Sequence, residues 1–129
     1  MRFLAILAFL ALAPTASLAC SCRHQSVAQQ ARGAEMIFVG YAIGTASLGG
    51  NDQVTTFRVR EVLKGQKTTL KSVHHQLDDG ANCGVNFLPR AQIIVVAYAQ
   101  AGKLHVNSCF APAGTATEFR AALGNRGNR

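Results

Sequence analysis

The chain has 129 residues, of which 49% are hydrophobic and 15% are charged. This balance excludes a disordered chain and a protein with several membrane spans, and the length suffices for one small domain. Thirteen Lys and Arg against six Asp and Glu give a net charge of +7, which favours acidic partners and surfaces.

The first residues have the pattern of an export signal. Arg2 precedes an unbroken apolar run over residues 3–13, which is too short for a bilayer span of about 20 residues. Ser17 and Ala19 put small side chains at the −3 and −1 positions of a cleavage site. We therefore predict a signal peptide over residues 1–19.

Cleavage after this segment leaves a single domain over residues 20–129, secreted or periplasmic, with Cys20 as its first residue. A cysteine at that position is also where a bacterial lipoprotein is anchored. We favour ordinary cleavage, because lipoproteins usually carry Leu three residues before the cysteine and this chain has Ser17 there. We expect a monomer with no membrane span.

The predicted mature chain has four cysteines: Cys20, Cys22, Cys83 and Cys109. An even number of cysteines in an exported domain predicts two disulfide bonds. A bond between Cys20 and Cys22 would close a very small strained ring, so each is expected to reach a distant cysteine, which leaves two connectivities open. Zinc bound by the thiolates is the competing interpretation, but one residue between the first two cysteines is too short a spacer. We predict no metal or cofactor of the protein's own.

The first predicted elements are a short helix and a long strand. A capping-box pattern at residues 26–29 opens a helix over residues 27–32. Residues 35–46 are rich in Ile, Phe, Val and Tyr and predict a strand, in which Gly40 and Gly44 mark bulges or bends.

The rest of the chain alternates predicted strands with turns. The further strands cover residues 53–63, 68–76, 91–99 and 103–108. Residues 78–89 form a loop that carries Cys83, and a second capping box at residues 115–118 opens a helix that runs through about residue 123. Five strands with two small helices predict an all-β fold, a closed or partly closed antiparallel barrel, with a sandwich as the alternative.

Short segments in a fixed order carry a resemblance to a known family. They are Cys20-Ser21-Cys22, Met36-Ile37-Phe38-Val39-Gly40, Phe57-Arg58-Val59, Val62-Leu63-Lys64-Gly65, Asn82-Cys83-Gly84 and Asn107-Ser108-Cys109-Phe110-Ala111-Pro112. Over residues 20–124 the chain resembles the N-terminal, netrin-like domain of the tissue inhibitors of metalloproteinases. The resemblance implies a five-stranded Greek-key barrel of OB type. It also implies the disulfide pairing Cys20–Cys83 with Cys22–Cys109.

The same resemblance implies an inhibitor of zinc metalloproteases and not an enzyme. In that family the free α-amine and the carbonyl oxygen of the N-terminal Cys chelate the catalytic zinc of the target, at the position that otherwise holds water. This role would fall to Cys20, and Ser21 would enter the specificity pocket of the protease. Cys20, Ser21 and Cys22 would form the main part of an inhibitory wedge, which Cys22 would anchor to the domain. Ala81 and Asn82 would form the second contact ridge of this wedge.

The chain also departs from the family pattern. Arg23 and His24 stand where the family usually has an apolar residue and a proline, and both a third disulfide and a second, cysteine-rich domain are missing. The alternative function is therefore an exported or envelope OB-fold module, binding or structural, that contacts a polyanion or a protein partner without inhibition. Nucleic acid is not expected as a partner, because the basic residues are scattered and export separates them from it.

Other polar residues are predicted to have structural roles. His74 and His75 are adjacent in a strand, so they point to opposite faces and cannot share one metal ion. His105 is expected to face solvent. Ser21 and Ser108 lack an evident base partner, and no free thiol remains after disulfide pairing, so no catalytic residues are predicted.

Overall fold

The computed structural model describes residues 20–124, and the predicted signal peptide lies outside the described residues. The elements are α1 (Val27–Gly33), β1 (Met36–Gly49), β2 (Asp52–Lys64), β3 (Leu70–Gln76), β4 (Ile93–Gln100), β5 (Lys103–His105), a 3-10 turn (Ser108–Phe110) and α2 (Ala116–Gly124). Five strands and two helices match the predicted elements in number and order. The last strand ends earlier than predicted, because the chain bends into the 3-10 turn.

The five strands form one sheet that closes on itself. The strand order is β1-β2-β3-β5-β4, and β4 pairs back onto β1. Every pairing between the five strands is antiparallel except that of β3 with β5, where His74 lies opposite His105 in a parallel bridge. Closure leaves no long unpaired edge among the strands of residues 20–124, which protects the sheet from pairing with other chains. The prediction of a mostly β fold whose five strands close on themselves is confirmed, whereas the parallel β3–β5 pair departs from the antiparallel arrangement that was predicted.

Glycines allow β1 to bend far enough to pair with both of its neighbours. The register between β1 and β2 shifts at Gly40 and at Gly44, which confirms the predicted irregularities. A Cβ atom at Gly40 would overlap the backbone carbonyl of Arg58, so this close approach of two strands requires glycine.

The inside of the closed sheet holds the larger hydrophobic core. Its buried members include Met36, Phe38, Phe57, Val59, Val73, Val95 and Ala97. The rings of Phe38 and Phe57 meet edge to face with centroids 5.5 Å apart, and both side chains are fully buried. Removing either ring would cost about 3–5 kcal/mol, a large share of the stability of a domain this size.

A second, smaller core lies between the helices and the outer face of β1 and β4. It contains Ala34, Ile37, Val96 and Phe119. Both predicted capping boxes are present and fix where the helices begin, the first through Ser26 and Gln29 and the second through Thr115 and Glu118. Among residues 20–124, no helix is long and apolar enough to cross a membrane.

Candidate functional site

Two disulfide bonds hold the Cys20-Ser21-Cys22 segment against two distant parts of the chain. Cys20 is bonded to Cys83 in the loop after β3, and Cys22 is bonded to Cys109 in the 3-10 turn. The Cα atoms of each bonded pair are 5.1 Å apart, within the ordinary range for disulfides. The pairing that the resemblance implied is therefore present.

The two bonds lie side by side and form one compact cluster. All four Sγ atoms lie within 4.8 Å of one another, and Cys20 Sγ is 3.8 Å from Cys109 Sγ. In this bonded state the sulfurs carry no thiolate, which is the form of cysteine that binds metal. The cluster therefore acts as a covalent staple that fixes three chain segments at one point.

The predicted wedge residues lie at this staple. Ser21 and Cys22 are exposed, whereas Cys20 is half-buried, with its Sγ 3.5 Å from Ser108 Oγ. Asn82 precedes Cys83, so the Cys20–Cys83 bond joins the N-terminal segment to the predicted second ridge.

The loop that carries this ridge is held by its own side chains. The carboxylate of Asp79 accepts hydrogen bonds from the amides of Ala81 and Asn82, both at 2.9 Å, and these bonds lower the pKa of Asp79. The amide group of Asn82 donates to the carbonyl of Leu77 and accepts from the amide of Gly84. A Cβ atom at Gly84 would overlap the Leu77 carbonyl oxygen, so the turn requires glycine. The loop is thus ordered without regular secondary structure.

Backbone contacts join the 3-10 turn to this loop independently of sulfur. The amide of Ser108 donates to the carbonyl of Cys83 at 2.9 Å. The side chain of Asn107 accepts from the amide of Cys109 at 2.9 Å and so begins the turn. The two half-cystines that receive the N-terminal segment are therefore held near each other by hydrogen bonds as well as by the disulfides.

A buried glutamine, which the sequence analysis missed, ties this region to α1. Gln30 is 2% exposed, and its side-chain amide donates to the carbonyl of Ala111 at 2.8 Å and accepts from the amide of Ala113 at 2.9 Å. We call these two bonds the Gln30 clamp. They fix the segment that follows Cys109, and no local pattern marks a helical Gln for this role.

Tyr98 contacts the segment that follows Cys22. Its hydroxyl donates to Oε1 of Gln25 at 2.9 Å, and its ring lies 4.1 Å from that of Phe110, centroid to centroid. Burial raises the pKa of Tyr98, so the hydroxyl stays protonated and able to donate. Together with the Gln30 clamp, this contact ties the segments that follow Cys22 and Cys109 to the rest of the fold.

The structure gives the histidines distinct environments. His75 is buried and structural: Nδ1 donates to the carbonyl of Val85, and Nε2 accepts from the hydroxyl of Thr55. His74 points to the opposite face, as predicted. The expectation that His105 simply faces solvent is wrong, because the parallel β3–β5 bridge places its half-buried ring against that of His74.

The departures from the family pattern lie next to the wedge. Arg23 and His24 are both exposed, so their side chains border any surface that meets Ser21. No protein-family model matches the chain, and a search of curated proteins finds no match either.

Proposed function

We propose that the mature protein is an exported inhibitor of zinc metalloproteases, similar to the tissue inhibitors of metalloproteinases and built on an OB-type barrel. The strand order β1-β2-β3-β5-β4, with a parallel β3–β5 pair that completes the closure, supports this type of fold. The function rests on the N-terminal segment.

The observation that carries the proposal is the double anchoring of Cys20-Ser21-Cys22. A chain that begins at Cys20 has its α-amine and its carbonyl oxygen on a residue that a disulfide holds in place. Those two atoms can close a five-membered chelate on a protease zinc, whose open position otherwise holds water. Because an α-amine has a pKa of about 7.7–8.0, part of it is unprotonated and able to bind metal near neutral pH.

A fixed N-terminus would bind the zinc more tightly than a flexible one. A free N-terminus would lose much conformational entropy on binding, whereas this one is fixed by two bonds and by the contacts of Gln25 and Gln30. Ser21 lies exposed between the two anchors and would enter the specificity pocket beside the zinc. Ala81 and Asn82, ordered by Asp79, would rest on the rim of the protease cleft.

The first test compares three forms of the protein against a panel of zinc proteases. One form begins at Cys20, one carries an added Ala before it, and one is acetylated at the α-amine. Only the first should inhibit, because an extended or acetylated terminus removes the free amine from Cys20. Thermal unfolding should be the same for all three, since the change removes no core contact. Equal inhibition by all forms, or none by the first, would refute the chelation mechanism.

The maturation step needs its own measurement. The intact mass and N-terminal sequence of the exported protein should give a chain that starts at Cys20 and carries two disulfides. A diacylglyceryl adduct on Cys20 would instead identify a lipoprotein whose sulfur cannot form the bond to Cys83.

The specificity pocket can be tested with a matched pair of variants. Ser21→Arg should weaken inhibition, because a long charged side chain does not fit a pocket shaped for a small group. Ala28→Arg adds the same charge on the exposed face of α1 and should leave inhibition unchanged. An equal loss in both variants would assign the effect to charge and not to the pocket.

A second candidate function is a polyanion-binding module. Arg58 and Arg60 are both exposed on β2 and lie two residues apart, hence on one face, in a chain of net charge +7. Binding of a sulfated polysaccharide through this face should fall steeply with salt and should be lost in Arg58→Ala/Arg60→Ala. Inhibition by zinc chelation should persist at high salt and in the Arg58→Ala/Arg60→Ala variant.

A further inference from the structure

A groove crosses the outer face of the closed sheet where β3 and β5 run side by side. Its volume is about 790 Å³, and Asp52, Tyr98 and Lys103 are among its lining residues. His74 and His105 lie within it, directly opposite each other in the parallel bridge. Their ring centroids are 5.4 Å apart, with the ring planes inclined by 32°.

These two imidazoles differ from the buried histidine beside them. Both nitrogens of His75 are engaged by protein atoms inside the fold. His74 and His105 are half-buried, and in the described part of the chain their rings contact each other across the bridge and border the groove. Their side chains are thus placed by the sheet, and their nitrogens remain available to a ligand.

We propose that His74 and His105 bind one divalent transition-metal ion in this groove. Two imidazoles that ligate a tetrahedral ion at Zn–N distances of about 2.0–2.1 Å hold their ring centres roughly 5 Å apart, close to the separation found here. Imidazole selects Zn²⁺, Ni²⁺ or Cu²⁺ over Ca²⁺ and Mg²⁺, which prefer oxygen ligands. With two protein ligands the ion keeps open positions for water or for a ligand from solvent, since no third His, Asp or Glu of the described residues lies close enough to complete the set.

The electrostatic surroundings favour the ligating form of His74. Burial, and then the charge of Lys103, lower the pKa of His74. Neutral imidazole is the form that binds metal. The ammonium group of Lys103 opposes a dication in turn, so we expect a site of moderate affinity, whose ion can exchange.

The test titrates Zn²⁺ and Ni²⁺ into the disulfide-bonded, tag-free protein by calorimetry. One ion should bind per chain, and His74→Ala and His105→Ala should each weaken binding by at least about tenfold, the loss expected even for residues that only support a metal ligand. His24→Ala removes an exposed imidazole outside the groove and should bind as the unaltered protein does. Equal losses in all three variants, or one ion bound as tightly without His74 and His105, would overturn the proposal.

Two further measurements keep the result unambiguous. In the unaltered protein, the imidazole nitrogen resonances of His74 and His105 should shift on Zn²⁺ addition while those of His24 and His75 stay unchanged; the opposite pattern would refute the site even if a variant failed to fold. The form with Ala added before Cys20, which cannot chelate through the Cys20 amine, should still bind the ion. The groove site and the proposed inhibitory function can therefore fail separately.

Discussion

The adjacency of the two disulfides gives a quantitative prediction about stability. Taken alone, the bonds span 63 and 87 residues of sequence. With one bond in place, however, the second closes a much shorter loop: two residues from Cys20 to Cys22 and 26 from Cys83 to Cys109, about 28 in all. This path is the same whichever bond is considered second. The chain-entropy relation then gives about 3.6 kcal/mol for either bond when the other is intact.

We therefore expect Cys20→Ser/Cys83→Ser and Cys22→Ser/Cys109→Ser to lose nearly equal stability, about 3.6 kcal/mol each, despite their different spans. Removing all four cysteines should cost about 8 kcal/mol, enough to unfold many small domains. Urea unfolding of the three variants, with free energies extrapolated to water, is the assay. A difference above about 1 kcal/mol between the two paired variants, or a loss below that value in either, would refute the shared-loop reasoning.

Three further predictions concern the supports of the wedge. Gln30→Leu should cost about 2–4 kcal/mol in urea unfolding, because it leaves the two backbone groups of the Gln30 clamp unpaired; a loss near zero would show that water replaces the clamp. Gly84→Ala should cost about 1–3 kcal/mol and shift the loop amides, because its Cβ would overlap a backbone carbonyl, and unchanged spectra would contradict this. The hydrogen bonds of Asp79 lower its pKa, so their stabilising contribution is complete above the ordinary pKa of 3.8 and is lost as the pH falls through the lowered pKa. The amide chemical shifts of Ala81 and Asn82 should therefore change with a midpoint below pH 3.8. A higher midpoint would contradict these contacts.

Elements with local signals were predictable from the sequence. The capping box of Ser26 and Gln29 needs only four consecutive residues, and the helix begins where the pattern places it. Gly40 and Gly44 interrupt a run of β-branched and aromatic residues, and the register shifts fall at both. In these cases the atoms that interact are near neighbours in the chain, so the pattern carries the geometry.

Contacts between distant residues were not predictable in the same way. The residues alone left two disulfide connectivities open, because spacing does not say which sulfurs approach each other. His74 and His105 face each other because a parallel bridge joins β3 to β5. The sequence of neither strand shows which strand it pairs with. The Gln30 clamp likewise joins a helix to a segment far along the chain, where an ordinary exposed Gln would be the default expectation.

A test of the proposed inhibition must change Cys20 without changing the stability of the domain. The bonds of Cys20 and Cys22 rigidify the wedge, but they also stabilise the domain, so their presence is fully explained by stability alone. Removing either bond changes both properties at once and cannot separate an inhibitor from a stapled scaffold. The α-amine of Cys20 would contribute to one property only, since the proposed chelation requires it and the core does not. Chemical change at that single nitrogen is therefore the perturbation that distinguishes the two.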